Sequence, residues 1–519
     1  MNEFLAKNER ACAGVVIVLA FVLRLWAGHG TFLNPDEALH FQIANHSSWK
    51  QSYQASLTTA HPPLLIFVLH FWRAFGTSEW LLRLPCVIAG TLSCWFVFRW
   101  MKLVIGTVPA WAGLVLVCFL PPLIGLSAEV RQYALLLCYM GLALFLAEMA
   151  LATGSGGKMF AAYMWAALAM LTHYSALFYV LVLGAYLALR LVEGKYTTTF
   201  KTAWFGSQVF IVALVAVLYR THLAALSAHG VQTMEGYLSH AIWHRQEENL
   251  LQFVAARSFG VFQFIFGQLA VGVLAGVLFL AGLGWVWRSR KSFAMVVLLA
   301  LPFLLNCGAA VAGKYPYGGT RQSAFLVPFA TAGVAAGIAW LTRENYARAL
   351  SSAVGIVLLS VLFGSPHRPY MTRADQSTVN MSRAMTFLGQ NLAPDSVILV
   401  DYQTSLLLGH YLCGQQPISF GRPAAGLFTF RCAGLRVLST GADTWNFTAA
   451  SFLTPDTEST LRGALGMKPG DSLWVVQAGW DIGLAGQLRD LPRFHDLHAQ
   501  SFGRNIQIFR LSLPDSSSL

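Results

Sequence analysis

Asp36 and Glu37 stand side by side in Asn34-Pro35-Asp36-Glu37, a few residues beyond an apolar run from Ala11 to Ala27. Two carboxylates at the water-facing lip of a helical bundle can supply a general base or bind a cation. The same four residues also suit a helix start, with Asn34 or Asp36 capping a segment from Glu37 to Ala44. Both readings can hold together. A second element is Thr59-Ala60-His61-Pro62-Pro63-Leu64. Its prolines stiffen the chain, and the helix start beyond them offers free amides where an anion could be bound or His61 pointed. The alternative is a simple turn histidine.

Ser127-Ala128-Glu129-Val130-Arg131-Gln132-Tyr133 joins two apolar stretches. An ionisable residue at the centre of a membrane helix costs about 2.5–3.5 kcal/mol on insertion scales, so Glu129 and Arg131 belong at an interface or in a cavity. Glu129 and Tyr133 share a face if the helix has begun by then, and a salt-bridged helix end is the plainer reading. From Gly313 to Gln322, Lys314, Tyr315, Tyr317 and Arg321 lie among flexible glycines. A guanidinium there can grip a phosphate bidentately, or an aromatic belt and a snorkelling arginine account for the same pattern. Thr172-His173-Tyr174 interrupts two more apolar runs as a turn, with His173 a candidate for lining a cavity. One acidic pair does not define a metal site. A divalent cation therefore stays open, and no other cofactor is implied.

What must position these residues is a membrane bundle. The 519 residues are 56% hydrophobic and only 11% charged, against roughly 25% charged in a soluble domain. Several apolar runs approach the roughly 20 residues that cross about 30 Å of hydrocarbon, and none alternates with the period of a barrel strand. The net charge of +12 belongs to short loops between these runs, not to a nucleic-acid surface. Lys7, Arg10, Arg99, Lys102, Lys158, Arg190, Lys195, Lys201, Arg288, Arg290, Lys291, Arg343 and Arg348 share the cytoplasmic side only if the segment His61–Phe75 does not cross. The expected architecture is therefore an all-α polytopic membrane protein with about eleven crossings, thirteen at most.

These crossings are expected near 11–27, 81–101, 104–124, 131–151, 159–173, 175–191, 203–220, 261–287, 292–312, 322–341 and 348–364. They place the loop 28–80, the turn 129–131, the loop 221–260 and everything after 364 on the outer side. Residues 1–364, including that loop, are expected to form the membrane domain. The tail 365–519 is expected to be a small soluble α/β domain, with strands at 396–400, 473–477 and 506–511 and a helix near 381–392. Six of the eight cysteines sit in apolar runs as small hydrophobes. Cys413 and Cys432, in the tail, have no pairing pattern that marks them as a disulfide. Asn446-Phe447-Thr448 has the form of a glycosylation acceptor.

The order Asn34-Pro-Asp-Glu37, His61-Pro-Pro-Leu64, Ser78-Glu-Trp-Leu-Leu-Arg-Leu-Pro85, Ser127-Ala-Glu-Val-Arg-Gln-Tyr133, Thr172-His-Tyr174 and Thr320-Arg321 resembles the membrane glycosyltransferases of the protein O-mannosyltransferase and aminoarabinose-transferase type, glycosyltransferase family 39. The resemblance covers roughly residues 15–340. It implies the GT-C fold in a bacterial inner membrane. It also implies inverting transfer of a sugar from a polyprenyl-phosphate-linked donor to a lipid, glycan or protein acceptor on the outer face, beside membrane lipid and without nucleic acid. By the same resemblance Asp36 is the catalytic carboxylate, supported by Glu37, and Glu129, Arg131 and Arg321 serve the acceptor and phosphate side. His61, Tyr133, His173 and Lys314 complete the expected substrate-binding set. Gln132 departs from the methionine that many relatives carry. A transporter or flippase of an anionic or lipid-linked substrate is the competing reading, against which the chain shows no internal repeat.

Overall fold

The computed structural model describes residues 7–57, 59, 61–226, 238–290, 292–363, 375–415, 426–441, 472–490 and 498–512. The sequon Asn446–Thr448 and the expected boundary at 364–365 lie outside them. The chain forms two compact units. The first comprises Met1–Gly28, Ser56–Val68 and Trp80–Ser365, and the second His29–Ala55, Leu69–Glu79 and Pro366–Leu519. The segments on either side of residues 56–68 thus pack with the tail.

The first unit is helical. Eight helices among the described residues are long and apolar enough to cross a membrane, or nine if the bent pair Thr107–Phe119 and Pro121–Ser127 is one span. Two further expected spans are the helices Gly156–Thr172 and Tyr346–Leu362, each of 17 residues. At 1.5 Å per residue each is roughly 26 Å long, short of the usual hydrocarbon thickness. The span expected at 261–287 is two helices, because Gly267 takes a left-handed conformation (φ +84°) that ends Leu250–Phe266 before Leu269–Arg290 begins. Ser155, Thr197 and Asn345 start other helices by accepting from backbone amides three residues on. Glycine lets helices approach. A Cβ on Gly282 would lie 2.0 Å from the Gly333 carbonyl, and one on Gly337 would lie 2.1 Å from that of Leu278.

The 60° bend at Leu120 has a specific cause. Pro121 and Pro122 lack the amides that would bond the carbonyls of Val117 and Cys118, four residues back. Arg24, on the helix Glu9–Gly28 and 1% exposed, supplies the missing donors. Its Nη2 donates to the Val117 carbonyl at 3.0 Å, and its Nη1 to those of Cys118 at 3.0 Å and Ala20 at 3.1 Å.

The second unit is built on a six-stranded mixed sheet, in the order β2-β3-β1-β4-β6-β5. The strands are β1 Val397–Val400, β2 Leu427–Cys432, β3 Leu435–Thr440, β4 Ser472–Ala478, β5 His498–Ser501 and β6 Ile506–Ser512. β1 is parallel to both β3 and β4, with Ile398 opposite Val437 and Trp474. The outer strands pair antiparallel. The buried run Val397–Val400 suits a central strand covered on both faces. Cys413 and Cys432 form a disulfide between the end of the helix Tyr402–Tyr411 and β2.

Candidate active site

In the second unit, Asn34 caps the helix Pro35–Ala44. The Asn34 side chain accepts from the Glu37 amide at 3.0 Å, and the Asn34 amide donates to Glu37 Oε2 at 2.8 Å. Glu37, fully buried, is thus taken up in a capping box. Asp36 takes no part in that box. It stands half-buried in the first helical turn, where the helix dipole favours a carboxylate, and its backbone carbonyl lies 2.6 Å from His40 Nδ1.

The sheet determines where this turn sits. β1 has parallel neighbours on both sides, so the crevice beyond its carboxyl end is the place where open α/β sheets commonly receive ligands. Here the chain sets Pro35, from its own segment 29–55, beside the end of β4. Gly479, just past β4, has φ +112°, and a Cβ there would lie 2.7 Å from Pro35 Cγ and 2.9 Å from Gln403 Oε1. The preceding residues are strapped down as well. The Leu33 amide donates to Tyr411 Oη at 2.8 Å, the Phe32 amide to the Gln376 carbonyl at 2.8 Å, and Tyr411 Oη to Glu79 Oε1 at 3.0 Å. Arg73 donates to Asn45 Oδ1 at 2.5 Å and to the His46 carbonyl at 2.6 Å, and Asn45 in turn donates to the Gln415 carbonyl.

Asp401 follows β1 and caps the next helix, accepting from the Thr404 amide at 3.0 Å and from Gln403 Nε2 at 3.1 Å. Burial pushes its carboxyl up to about 6, although the bonds from Thr404 and Gln403 pull it down.

In the first unit, the other sequence-derived candidates except Lys314 fall into an ion pair and an aromatic cluster on neighbouring positions of the chain. Glu129 and Arg321 pair at 3.4 Å with about a quarter of each side chain exposed. The Arg131 guanidinium lies 5.7 Å from the Tyr133 ring centroid. Tyr133 is 5.4 Å from His173, and His61 stacks on His173 at 5.5 Å with 28° between the planes. His173 is buried, and its Nδ1 is 2.7 Å from Ser175 Oγ. Lys314 is exposed on the turn after the helix Phe293–Val311. That turn is anchored by Asn306 donating to the Pro316 carbonyl at 2.9 Å and by Ser258 and Tyr317, whose hydroxyls are 2.9 Å apart. Gly319 passes so close to Gly260 that a Cβ would lie 2.9 Å from the Gly260 carbonyl. Arg321 therefore rises from a fixed turn.

Chemically, these residues offer two guanidinium groups to an anionic ligand, one of them paired with Glu129, with an aromatic and imidazole wall nearby. Among the described residues no three His, Cys, Asp or Glu side chains converge as a metal site would require.

Sequence reasoning did not single out Arg24, Gly479, Tyr411 or Ser323, and it gave no role to Gln132 or Thr320, although both stand in the quoted motifs. Pro121-Pro122 after an apolar run was the one available signal for Arg24.

The family model for dolichyl-phosphate-mannose-protein mannosyltransferase matches residues 60–220. ArnT from Cupriavidus metallidurans bound to undecaprenyl phosphate is similar with a TM-score of 0.57 at 13% identity, over 96% of this chain and 98% of that one. The same protein in the apo state gives 0.55 at 14%, over 97% and 98%. The Archaeoglobus fulgidus oligosaccharyltransferase tethered with an acceptor peptide gives 0.51 at 11%, over 91% of this chain and 70% of that one. A comparison with curated protein sequences finds no match. The chain has the GT-C fold of membrane glycosyltransferases, with a small C-terminal sheet domain. The family model and the ArnT likeness agree with the resemblance carried by the motifs.

Proposed function

We propose that the protein transfers a sugar from a polyprenyl-phosphate-linked donor to a lipid, glycan or protein acceptor at the outer face of a membrane, inverting the anomeric carbon. The observation that carries this reading is the division of labour at Asn34–Glu37. Asn34 and Glu37 build the cap, so Asp36 is held at a helix start without serving as the cap itself. Asp36 then acts as the base that takes the proton of the acceptor hydroxyl as its oxygen attacks the anomeric carbon. The polyprenyl phosphate departs with the electron pair of the broken C–O bond, and Arg321 and Arg131 meet its charge. Glu129 orients Arg321 through the 3.4 Å pair. His61, Tyr133, His173 and Lys314 border the donor, and Glu37 positions Asp36. The carrier in the ArnT complex, undecaprenyl phosphate, supports this donor class.

The orientation is supported by two independent features. Basic residues fill the loops on one side of the expected bundle. The Cys413–Cys432 disulfide suits an oxidising compartment, which supports a second unit outside the cytoplasm. The test is transfer of labelled sugar from undecaprenyl-phosphate-linked donors into lipid, glycan and peptide acceptors by the purified protein in nanodiscs. Transfer to one acceptor class supports the reading. Translocation of a lipid-linked substrate without transfer to any of them overturns it.

A further inference from the structure

We propose that Gln132, Thr320 and Ser323 form a neutral polar subsite that reads the sugar of the donor through hydrogen bonds. The proposal rests on the glycosyl-transfer reading above and names residues that determine which sugar is accepted.

Gln132 is 1% exposed and Ser323 is fully buried. Neither polar atom of the Gln132 amide has a hydrogen-bond partner among the described residues. The same is true of Ser323 Oγ, Thr320 Oγ1 and Tyr133 Oη, each buried at the atom itself. These groups lie on two segments that the fold brings together. Gln132 precedes the helix Tyr133–Thr153, which packs against the turn Arg321–Leu326. The Glu129–Arg321 pair ties the same two segments at 3.4 Å.

Over nine-tenths of buried polar groups in folded proteins find a partner, so five unpartnered atoms on two segments that pack together call for a common explanation. Burying an amide without one is costly. An occupant with several donors and acceptors removes that cost, and the inventory here indicates its kind. Gln132 offers an acceptor and two donors, and each hydroxyl offers both roles. That set matches a neutral polyol, whose hydroxyls also donate and accept. Charge is supplied separately by Glu129, Arg131 and Arg321, which leaves the uncharged trio for the uncharged part of the donor.

Gln132→Met keeps length and volume while deleting both polar atoms. The measurements are thermal unfolding of the full-length variant and its binding of two probes in nanodiscs. One probe is undecaprenyl phosphate, and the other is whichever hexose- or pentose-linked carrier the wild type binds best. The expected result is a higher unfolding temperature, unchanged affinity for the bare carrier and about tenfold weaker binding of the sugar-linked one. Ser323→Ala, a smaller change, should weaken only the sugar-linked probe as well.

Equal loss for both probes would move Gln132 to the phosphate side and overturn the subsite. Unchanged affinity for both, in either variant, would mean that these atoms are met by ordered water, and would overturn it too. Wild type binding neither probe would overturn the glycosyl-transfer reading itself.

Discussion

Replacing Arg24 with Met tests whether a buried cation repairs a helix broken by two prolines. The perturbation removes the donors that meet the carbonyls of Val117 and Cys118, both at 3.0 Å. A buried acceptor left without a partner costs about 1–3 kcal/mol, so two such losses sum to about 2–6 kcal/mol. Removing the buried charge itself returns part of that, which leaves a net destabilisation on the order of 2–4 kcal/mol. The assay is thermal unfolding in one detergent, with a double-mutant cycle. Pro121→Ala with Pro122→Ala restores two backbone amides that can bond those carbonyls when the helix straightens. In that background Arg24→Met should cost at least about 1 kcal/mol less. Arg24→Lys should fall between wild type and Met, since one ammonium cannot repeat the spread of a guanidinium. An Arg24→Met protein as stable as wild type, or equal costs in both backgrounds, would refute this account of the bend.

Two further predictions concern the second unit. Gly479→Ala must place a Cβ 2.7 Å from Pro35 Cγ at a backbone angle that disfavours side chains, with about 1–3 kcal/mol of strain. Sugar transfer should fall more than tenfold while the protein still reaches the membrane, and full activity would sever the link between Gly479 and the Asp36 turn. The Asp401 carboxyl, raised from 3.8 to about 6, makes the folded unit favour the protonated form. Its stabilising effect is present below about pH 4 and is lost as pH rises through about 6, by on the order of 3 kcal/mol in all. Amide-exchange protection factors of β1, β3 and β4, corrected for intrinsic base-catalysed exchange, should therefore fall across that window in wild type and stay flat in Asp401→Asn, and identical profiles would count against the assignment.

Much of the bundle could be read from apolar runs alone, because lipid demands long helices and the sequence shows where charge interrupts them. The bend at Leu120 and the separation at Gly267 could not. Both depend on what a neighbouring segment supplies or permits, Arg24 in one case and close helix packing in the other. The strands at 397–400, 472–478 and 506–512 were visible as apolar clusters, whereas β5, exposed throughout, carries no hydrophobic alternation to reveal it. The capping signal at Asn34-Pro35-Asp36-Glu37 was legible but ambiguous. Only coordinates distinguish Asn34 as the cap and Glu37 as its partner from a turn capped by Asp36. The polar trio was hidden because glutamine, serine and threonine at helix ends usually face water, and burial is a tertiary property. The Cys413–Cys432 bridge was equally hidden, since only the fold places the end of a helix beside β2.

The most direct measurement is sugar transfer by purified Asp36→Asn protein. The capping box belongs to Asn34 and Glu37, so this change leaves the helix start intact while deleting the anionic base. The account predicts a loss of about 10²–10⁴ in rate, or roughly 3–5 kcal/mol of transition-state stabilisation, against at most about 1 kcal/mol of folding stability from the lost helix-dipole interaction. A well-folded Asp36→Asn protein that turns over at near-normal rate would contradict it.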